Sequence, residues 1–347
     1  MIDLPRHNFR MNMRKRRKFY SGVVNHVYQR TVSGNNLFYG YEDFLTFFTI
    51  MSVSARTAQI TFLELCLMYN HFHALIVTES MSQLSDFMNH ACSWFAREFN
   101  QFTGNAGQLL KKNFGSALKW SEKDVRTAIN YVGNNPVEKK ICKRPEQYRW
   151  NFLQYAVSSN PFSEPLVLRR ASKRMKRAVK EVTSMSQLNL PLKFILIRRL
   201  FKGLTSIEIE QLVDYIISTY NFIDYQTAIS YYGSYEKMLE AMNSNTGSEY
   251  EIREEWDPDS DLAYLHMVEY VQNTFPDMPA NRVTTLPEAQ KQNLSMVFSR
   301  MSATPRQISR FLHLPAPPKS RSVNGLHKPP AANGEQEAFV SCCSLMR

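Results

Sequence analysis

The order in which extended and helical patterns follow one another over the first 157 residues narrows the possible folds more than any other feature. Residues 22–32 (GVVNHVYQRTV) are polar and β-branched, as a strand requires, and residues 41–54 carry a helical pattern. A second apolar run covers 59–68, and HFHALIV follows at once as a third strand. Residues 82–100 then repeat with the period of an amphipathic helix, placing Leu84, Phe87, Met88, Ala91, Trp94 and Phe95 on one stripe that reads as core. After a loop marked by Gly104 and Gly107, QLLKKNFGSALKW suggests a strand or short hairpin, and Ser121 with Asp124 opens a further helix as a capping pair. The sum, βαββαβα, implies an α+β domain in which helices flank a sheet, ending near Val157.

A chain of 347 residues exceeds what one core usually organises, so two or three units are expected. The reading divides it into a basic arm (1–19), the α+β domain (20–157), a helical region (158–248), an acidic linker with a second helical module (249–314) and a disordered tail (315–347). The arm holds the run Arg14, Lys15, Arg16, Arg17 and Lys18, too self-repelling to fold alone. Past the polar boundary SSNPFSEP, residues 168–180 (LRRASKRMKRAVK) are basic and helical in propensity. They read as a solvated face or as a helix tracking phosphates, with Arg169, Arg170, Lys173 and Arg174 as candidate contacts. Residues 286–314 show two helical patterns around a turn, with Thr304 and Pro305 as cap and first-turn proline. That pair fits a helix-turn-helix or a helical hairpin packed on its neighbours.

Forty-two Lys and Arg against 31 Asp and Glu give a formal charge of +11, and its clustering favours a polyanionic partner, nucleic acid first. The competing readings are solubility or contact with acidic membranes. There is no apolar run of membrane-spanning length, and neither a secretory signal nor a prenylation box is present, so neither export nor anchoring is expected. The five cysteines, Cys66, Cys92, Cys142, Cys342 and Cys343, are odd in number and lack zinc spacing, which fits a reducing cytoplasm.

Chemistry concentrates in two short segments. On a strand, alternate side chains share a face, so His71 and His73 project together while Phe72 points into the opposite layer. Two imidazoles can chelate one divalent ion, and one added oxygen ligand leaves positions open for a phosphate oxygen and water. The second segment places Tyr131 and Asn135 four residues apart on a helix, one turn from each other on one face. Asn supplies a carbonyl ligand suited to Mg²⁺ or Mn²⁺, and the phenol is a nucleophile once its proton is lost. Pro136 disfavours helix at the residue before it, so Asn135 is expected at a kink or helix end. Tyr148 and Tyr155 are rival nucleophiles, and any buried tyrosine can simply be a packing residue.

The ordered combination resembles the REP-associated tyrosine transposases, within the single-tyrosine HUH transposases. It runs from VVNHVYQRTVSGNNLFYG through ITFLELCLMYNHFHALIV to AGQLLKKNFGSALKW and AINYVGNNPVEKK, covering about 20–155. Members carry a His-hydrophobe-His strand, here His71-Phe72-His73, and a Y-x-x-x-N-P-V segment, here residues 131–137. The resemblance implies an HUH endonuclease-like antiparallel sheet flanked by helices, of the ferredoxin-like or RRM-like kind, followed here by an all-α region. It implies His71 and His73 as metal ligands, Asn135 as the third, and Tyr131 as the nucleophile. The implied reaction is cleavage of hairpin-forming single-stranded DNA through a 5′-phosphotyrosine that a 3′-hydroxyl can reverse. Arg14 to Lys18, Lys111, Lys112 and the 168–180 segment are the candidate DNA contacts, and no small-molecule cofactor is expected. Members act as monomers or as homodimers. A catalytically silent DNA-binding regulator is the alternative, disfavoured because binding alone does not need this set of side chains. A relaxase or replication initiator, which shares the chemistry, ranks last because no second tyrosine lies close to Tyr131.

Overall fold

The computed structural model describes residues 19–244 and 259–315. The arm with Arg14, Lys15, Arg16, Arg17 and Lys18, most of the acidic stretch, and the tail beyond Pro315 lie outside these residues. The first seven elements are β1 (Val24–Arg30), α1 (Tyr41–Ala58), β2 (Thr61–Met68), β3 (His71–Val77), α2 (Met81–Thr103), β4 (Gly115–Lys119) and α3 (Glu122–Glu138). The strands form one sheet in the order β2-β3-β1-β4, and every neighbouring pair is antiparallel. The expected α+β architecture, an antiparallel sheet flanked by helices, is therefore present. Phe72, on one face of β3, packs against Phe47 of α1 with ring centroids 5.0 Å apart, and α1 and α2 pack on each other. The opposite face is covered by α3.

Local chemistry fixes the helix ends. Asp43 caps α1 by accepting from the Tyr39 and Gly40 amides, both at 3.0 Å. Ser121 and Asp124 cap α3 reciprocally, at 3.1 and 3.0 Å. Of the segment expected as strand or hairpin over 108–120, only Gly115–Lys119 joins the ladder, with a single bridge from Leu110 to Thr31. Pro136 neither ends nor displaces α3. It stands in the last turn, and the Lys139 amide still donates to the Asn135 carbonyl at 3.1 Å, so Asn135 remains helical.

Among the described residues eight α-helices follow: α4 (Lys173–Gln187), α5 (Phe194–Phe201), α6 (Ser206–Tyr220), α7 (Tyr225–Ser230), α8 (Tyr235–Ser244), α9 (Leu262–Thr274), α10 (Glu288–Arg300) and α11 (Pro305–Leu312). The basic helix starts later than its composition suggests. The Ser172 hydroxyl accepts from the Met175 amide at 3.0 Å, which leaves Arg169 and Arg170 in the turn ahead of α4. Among the described residues no helix is long and apolar enough to cross a membrane.

These helices share one core with the sheet. The outer edge of β2 is met at Phe62 by residues 223 and 224: Ile223 bridges Phe62 in parallel, and the Asp224 amide donates to the Phe62 carbonyl at 2.7 Å. Such a contact covers the start of an otherwise open hydrogen-bonding row. α8 lies on α3, where Asn134 Nδ2 donates to the Met242 carbonyl at 2.6 Å. The end of α3 is also tied, because the Asp261 amide donates to the Lys139 carbonyl at 3.1 Å.

Arg149 is the polar link to α6. Its Nη1 stands 2.6 Å from Glu210 Oε2 and 3.2 Å from the Tyr41 hydroxyl, while Nη2 is 3.3 Å from Asp214 Oδ1. Asp214 also accepts from the Tyr155 hydroxyl at 2.6 Å, the Ser163 hydroxyl at 2.9 Å and the Phe162 amide at 3.0 Å.

The last two helices pack against each other, and α11 is walled in. Gln307, Ile308, Ser309, Phe311 and Leu312 are buried, the Tyr39 hydroxyl donates to the Phe311 carbonyl at 2.8 Å, and Arg310 lies against Gly34. Only Pro305 and Arg306 of α11 are exposed. A helix that reads a DNA groove needs a longer free face than α11 presents, whereas α10 leaves Gln292, Asn293, Met296 and Arg300 exposed.

Candidate active site

Residues paired across an antiparallel ladder point to the same side, so the register shows what shares a face with the two strand histidines. His73 stands opposite Tyr28 and Cys66, His71 opposite Arg30 and Met68, and His26 opposite Leu75 and Ala117. All face α3. From that helix the Tyr131 ring lies 5.5 Å from the His73 ring and 5.6 Å from that of His26, and the His71 and His73 rings are 5.1 Å apart. Asn135 follows one helical turn later, buried, with its Nδ2 lacking a hydrogen-bond partner. The fold thus brings His71, His73 and Tyr131 together, with Asn135 on the same side of α3.

The rival tyrosines are engaged elsewhere. The Tyr148 hydroxyl donates to the Leu67 carbonyl at 2.8 Å, and the Tyr155 hydroxyl donates to Asp214. Burial pushes both phenols well above their usual range.

Hydrogen bonding determines which histidine nitrogens can act. Asn70 donates through Nδ2 to the Gly34 carbonyl at 3.1 Å, which turns its Oδ1 toward His71 Nδ1, 2.6 Å away. An amide oxygen only accepts, so His71 carries a proton on Nδ1, and in the neutral ring the lone pair is left on Nε2. His73 Nδ1 lies 3.0 Å from His26 Nε2. Burial lowers the His73 pKa to about 3, and it holds His26 well below the usual value, helped by nearby His73 and Lys119. Both imidazoles are therefore uncharged at neutral pH, the form that binds metals. Among the described residues no cluster of three or more His, Cys, Asp or Glu is arranged to hold a metal. A metal at His71 and His73 would need amide, phenol, substrate or water oxygen as well; such oxygens, the Asn135 carbonyl among them, suit Mg²⁺ or Mn²⁺, while the two imidazoles suit softer divalent ions.

Sequence reading missed three neighbours. His26 and Tyr28 belong to the strand VNHVYQR, where alternation alone puts them on one face; which face becomes known only from the pairing with β3. Tyr28 lies roughly parallel to His73, ring centroids 6.1 Å apart. It occupies that place because residue 115 is glycine: a Cβ there would stand 1.7 Å from Tyr28 Cε1. Glu64 of β2, opposite Leu75, is buried with neither carboxyl oxygen hydrogen-bonded, and burial raises its pKa far above the ordinary carboxylate range.

The basic candidates divide by location. Lys111 is fastened to β1 beside the site, its amide donating to the Arg30 carbonyl at 2.9 Å and its carbonyl accepting from Gln29 Nε2 at 2.6 Å; exposed Lys112 follows. Arg169, Arg170, Lys173 and Arg174 are exposed, but α4 stands on α6 and α6 on α1, in the layer across the sheet from Tyr131. At the far end of β1 and β4, Tyr20 and Trp120 form an exposed aromatic pair with centroids 4.1 Å apart.

No protein-family model and no curated protein matches the chain. Among solved structures, a REP-associated tyrosine transposase bound to a REP hairpin shows a distant likeness: TM-score 0.34 and 16% identity, covering 40% of this chain and 81% of that one.

Proposed function

We propose that this chain is a metal-dependent, single-tyrosine endonuclease and strand transferase acting on hairpin-forming single-stranded DNA. The observation that carries the reading is the convergence of Tyr131 with His71 and His73 on one sheet face, from motifs that stand in the order of the REP-associated tyrosine transposases. In this reading Tyr131 Oη attacks a backbone phosphorus in line and loses its proton. A 5′-phosphotyrosine bond forms, the P–O3′ bond breaks, and the 3′-oxygen leaves as a hydroxyl. Because the tyrosyl ester preserves a phosphodiester bond, a 3′-hydroxyl can reverse the step without ATP. His71 and His73 through Nε2, with Asn135, would hold Mg²⁺ or Mn²⁺. When bound, the ion offsets charge developing on the phosphate.

Lys111 and Lys112 are suited to hold the strand close to the nucleophile. Arg169, Arg170, Lys173 and Arg174 would meet DNA only where it wraps to the opposite layer, and the Tyr20–Trp120 pair offers a surface on which bases can stack. Every side chain the reading requires comes from one chain, which is compatible with a monomer or with a homodimer. A cytoplasmic location suits such an activity.

The test uses a hairpin-bearing oligonucleotide labelled at its 3′ end, incubated with protein and Mn²⁺ and resolved under denaturing conditions. A labelled protein band is expected for the wild type and for Tyr148→Phe, and none for Tyr131→Phe. An adduct that persists in Tyr131→Phe defeats the assignment. Tight DNA binding with no adduct under any metal condition favours the silent regulator instead.

A further inference from the structure

His26 sits fully buried on β1, with its Nε2 3.0 Å from His73 Nδ1. A contact of this length holds one proton between the two ring nitrogens, and its location decides what His73 can do. With the proton on His73 Nδ1, the lone pair of His73 Nε2 is directed away from His26 and can bind a metal. With the proton on His26 Nε2, His73 carries its own proton on Nε2 and is closed to metal. The same choice is already made at His71, where the Asn70 oxygen can only accept.

We infer that His26 is the positioning residue for His73, accepting its Nδ1 proton and so holding it in the tautomer whose Nε2 takes the divalent ion. This rests on the reading of His71 and His73 as metal ligands. Two observations and one general rule support it. The pairing of β1 with both β3 and β4 fixes where His26 sits, opposite Leu75 and Ala117, next to the Tyr28–His73 pair. The His26 and His73 ring centroids are 5.2 Å apart, and Tyr131 closes over both rings. Metal-bound histidines commonly donate their second ring nitrogen to an acceptor that sets their orientation and basicity, and losing it costs about 10–100-fold in affinity. Here that acceptor is a second imidazole.

The test uses the full chain and two variants. His26→Gln retains a side-chain oxygen able to accept from His73, whereas His26→Leu fills the space without an acceptor. Mn²⁺ affinity, followed by electron paramagnetic resonance, is expected to fall about 10–100-fold in His26→Leu and to stay within about threefold of wild type in His26→Gln. In long-range ¹H–¹⁵N spectra of the wild type loaded with Zn²⁺ as a diamagnetic probe, His73 is expected protonated at Nδ1 and His26 unprotonated at Nε2. Unchanged Mn²⁺ affinity in a natively folded His26→Leu overturns the inference, as does a protonated His26 Nε2 in the Zn²⁺-loaded protein. The spectra decide the matter if His26→Leu does not fold. If wild type and His71→Ala are alike in failing to bind Mn²⁺, the metal reading itself falls; if wild type binds and His26→Leu binds equally, only the role of His26 falls.

Discussion

Replacing Arg149 with Met keeps the aliphatic stem in place and deletes the guanidinium. The Arg149 and Asp214 side chains are only 2% and 1% exposed, so water cannot take over as a partner for the carboxylate left behind. Glu210, 17% exposed, loses its contact at 2.6 Å. Removing one member of a buried ion pair costs about 3–5 kcal/mol, because the remaining charge is stranded away from solvent. Asp214 keeps its bonds from Tyr155, Ser163 and Phe162, which holds the loss toward the lower end. At about 1.4 °C per kcal/mol, from an unfolding entropy of about 2.1 cal/mol/K per residue over a chain of this size, Arg149→Met should melt roughly 4 °C below wild type by circular dichroism. Adding Asp214→Asn removes the stranded charge, so the double variant should lose less than the sum of the single losses by about 1–3 kcal/mol. A melting point within 1 °C of wild type, or strictly additive losses, would refute the argument that this network joins α6 to the sheet.

Two further outcomes follow from features remote from that network. Gly115→Ala should slow adduct formation by about 10–100-fold in single-turnover assays, since the new methyl requires the Tyr28 ring to leave its place against His73; the effect should vanish in a Tyr28→Ala background, and its persistence there would show that Gly115 acts by another route. Burial lowers the His313 pKa to about 4, so the unfolded chain takes up this proton first; the contribution is complete above pH 6.5 and lost as pH falls to 4, about 3 kcal/mol in all. Denaturant titrations of His313→Asn should show that part of the acid dependence gone, and parallel curves for the two proteins at every pH would count against it.

The architecture of the first half was legible because each strand and helix announces itself locally, by alternation, by period and by caps such as Ser121 with Asp124. The relation of His71 to His73 was legible for the same reason, being a property of one strand. What escaped depends on pairing between segments far apart in the chain. His26 and Tyr28 become neighbours of His73 only through the register of β1 on β3, and Glu64 through that of β2. Asn135 was expected at a kink or helix end because the proline rule is local; it stands in the last turn of α3, which the bond from the Lys139 amide keeps helical. The burial of α11 likewise depends on Tyr39 and Gly34, more than 250 residues upstream.

The fastening of α3 has a consequence for traffic through the site. Its first turn is capped, its C-terminal part is bonded to Met242 through Asn134 and its end to Asp261, so Tyr131 is held relative to its own sheet. On the proposed reading, with Tyr131 as the nucleophile, this anchorage disfavours ferrying a captured strand by swinging α3 across to another copy. Exchange would have to be choreographed by the nucleic acid, with the incoming 3′ end delivered to a stationary tyrosine, and the distance over which two ends can be joined would be set by the slack in the DNA.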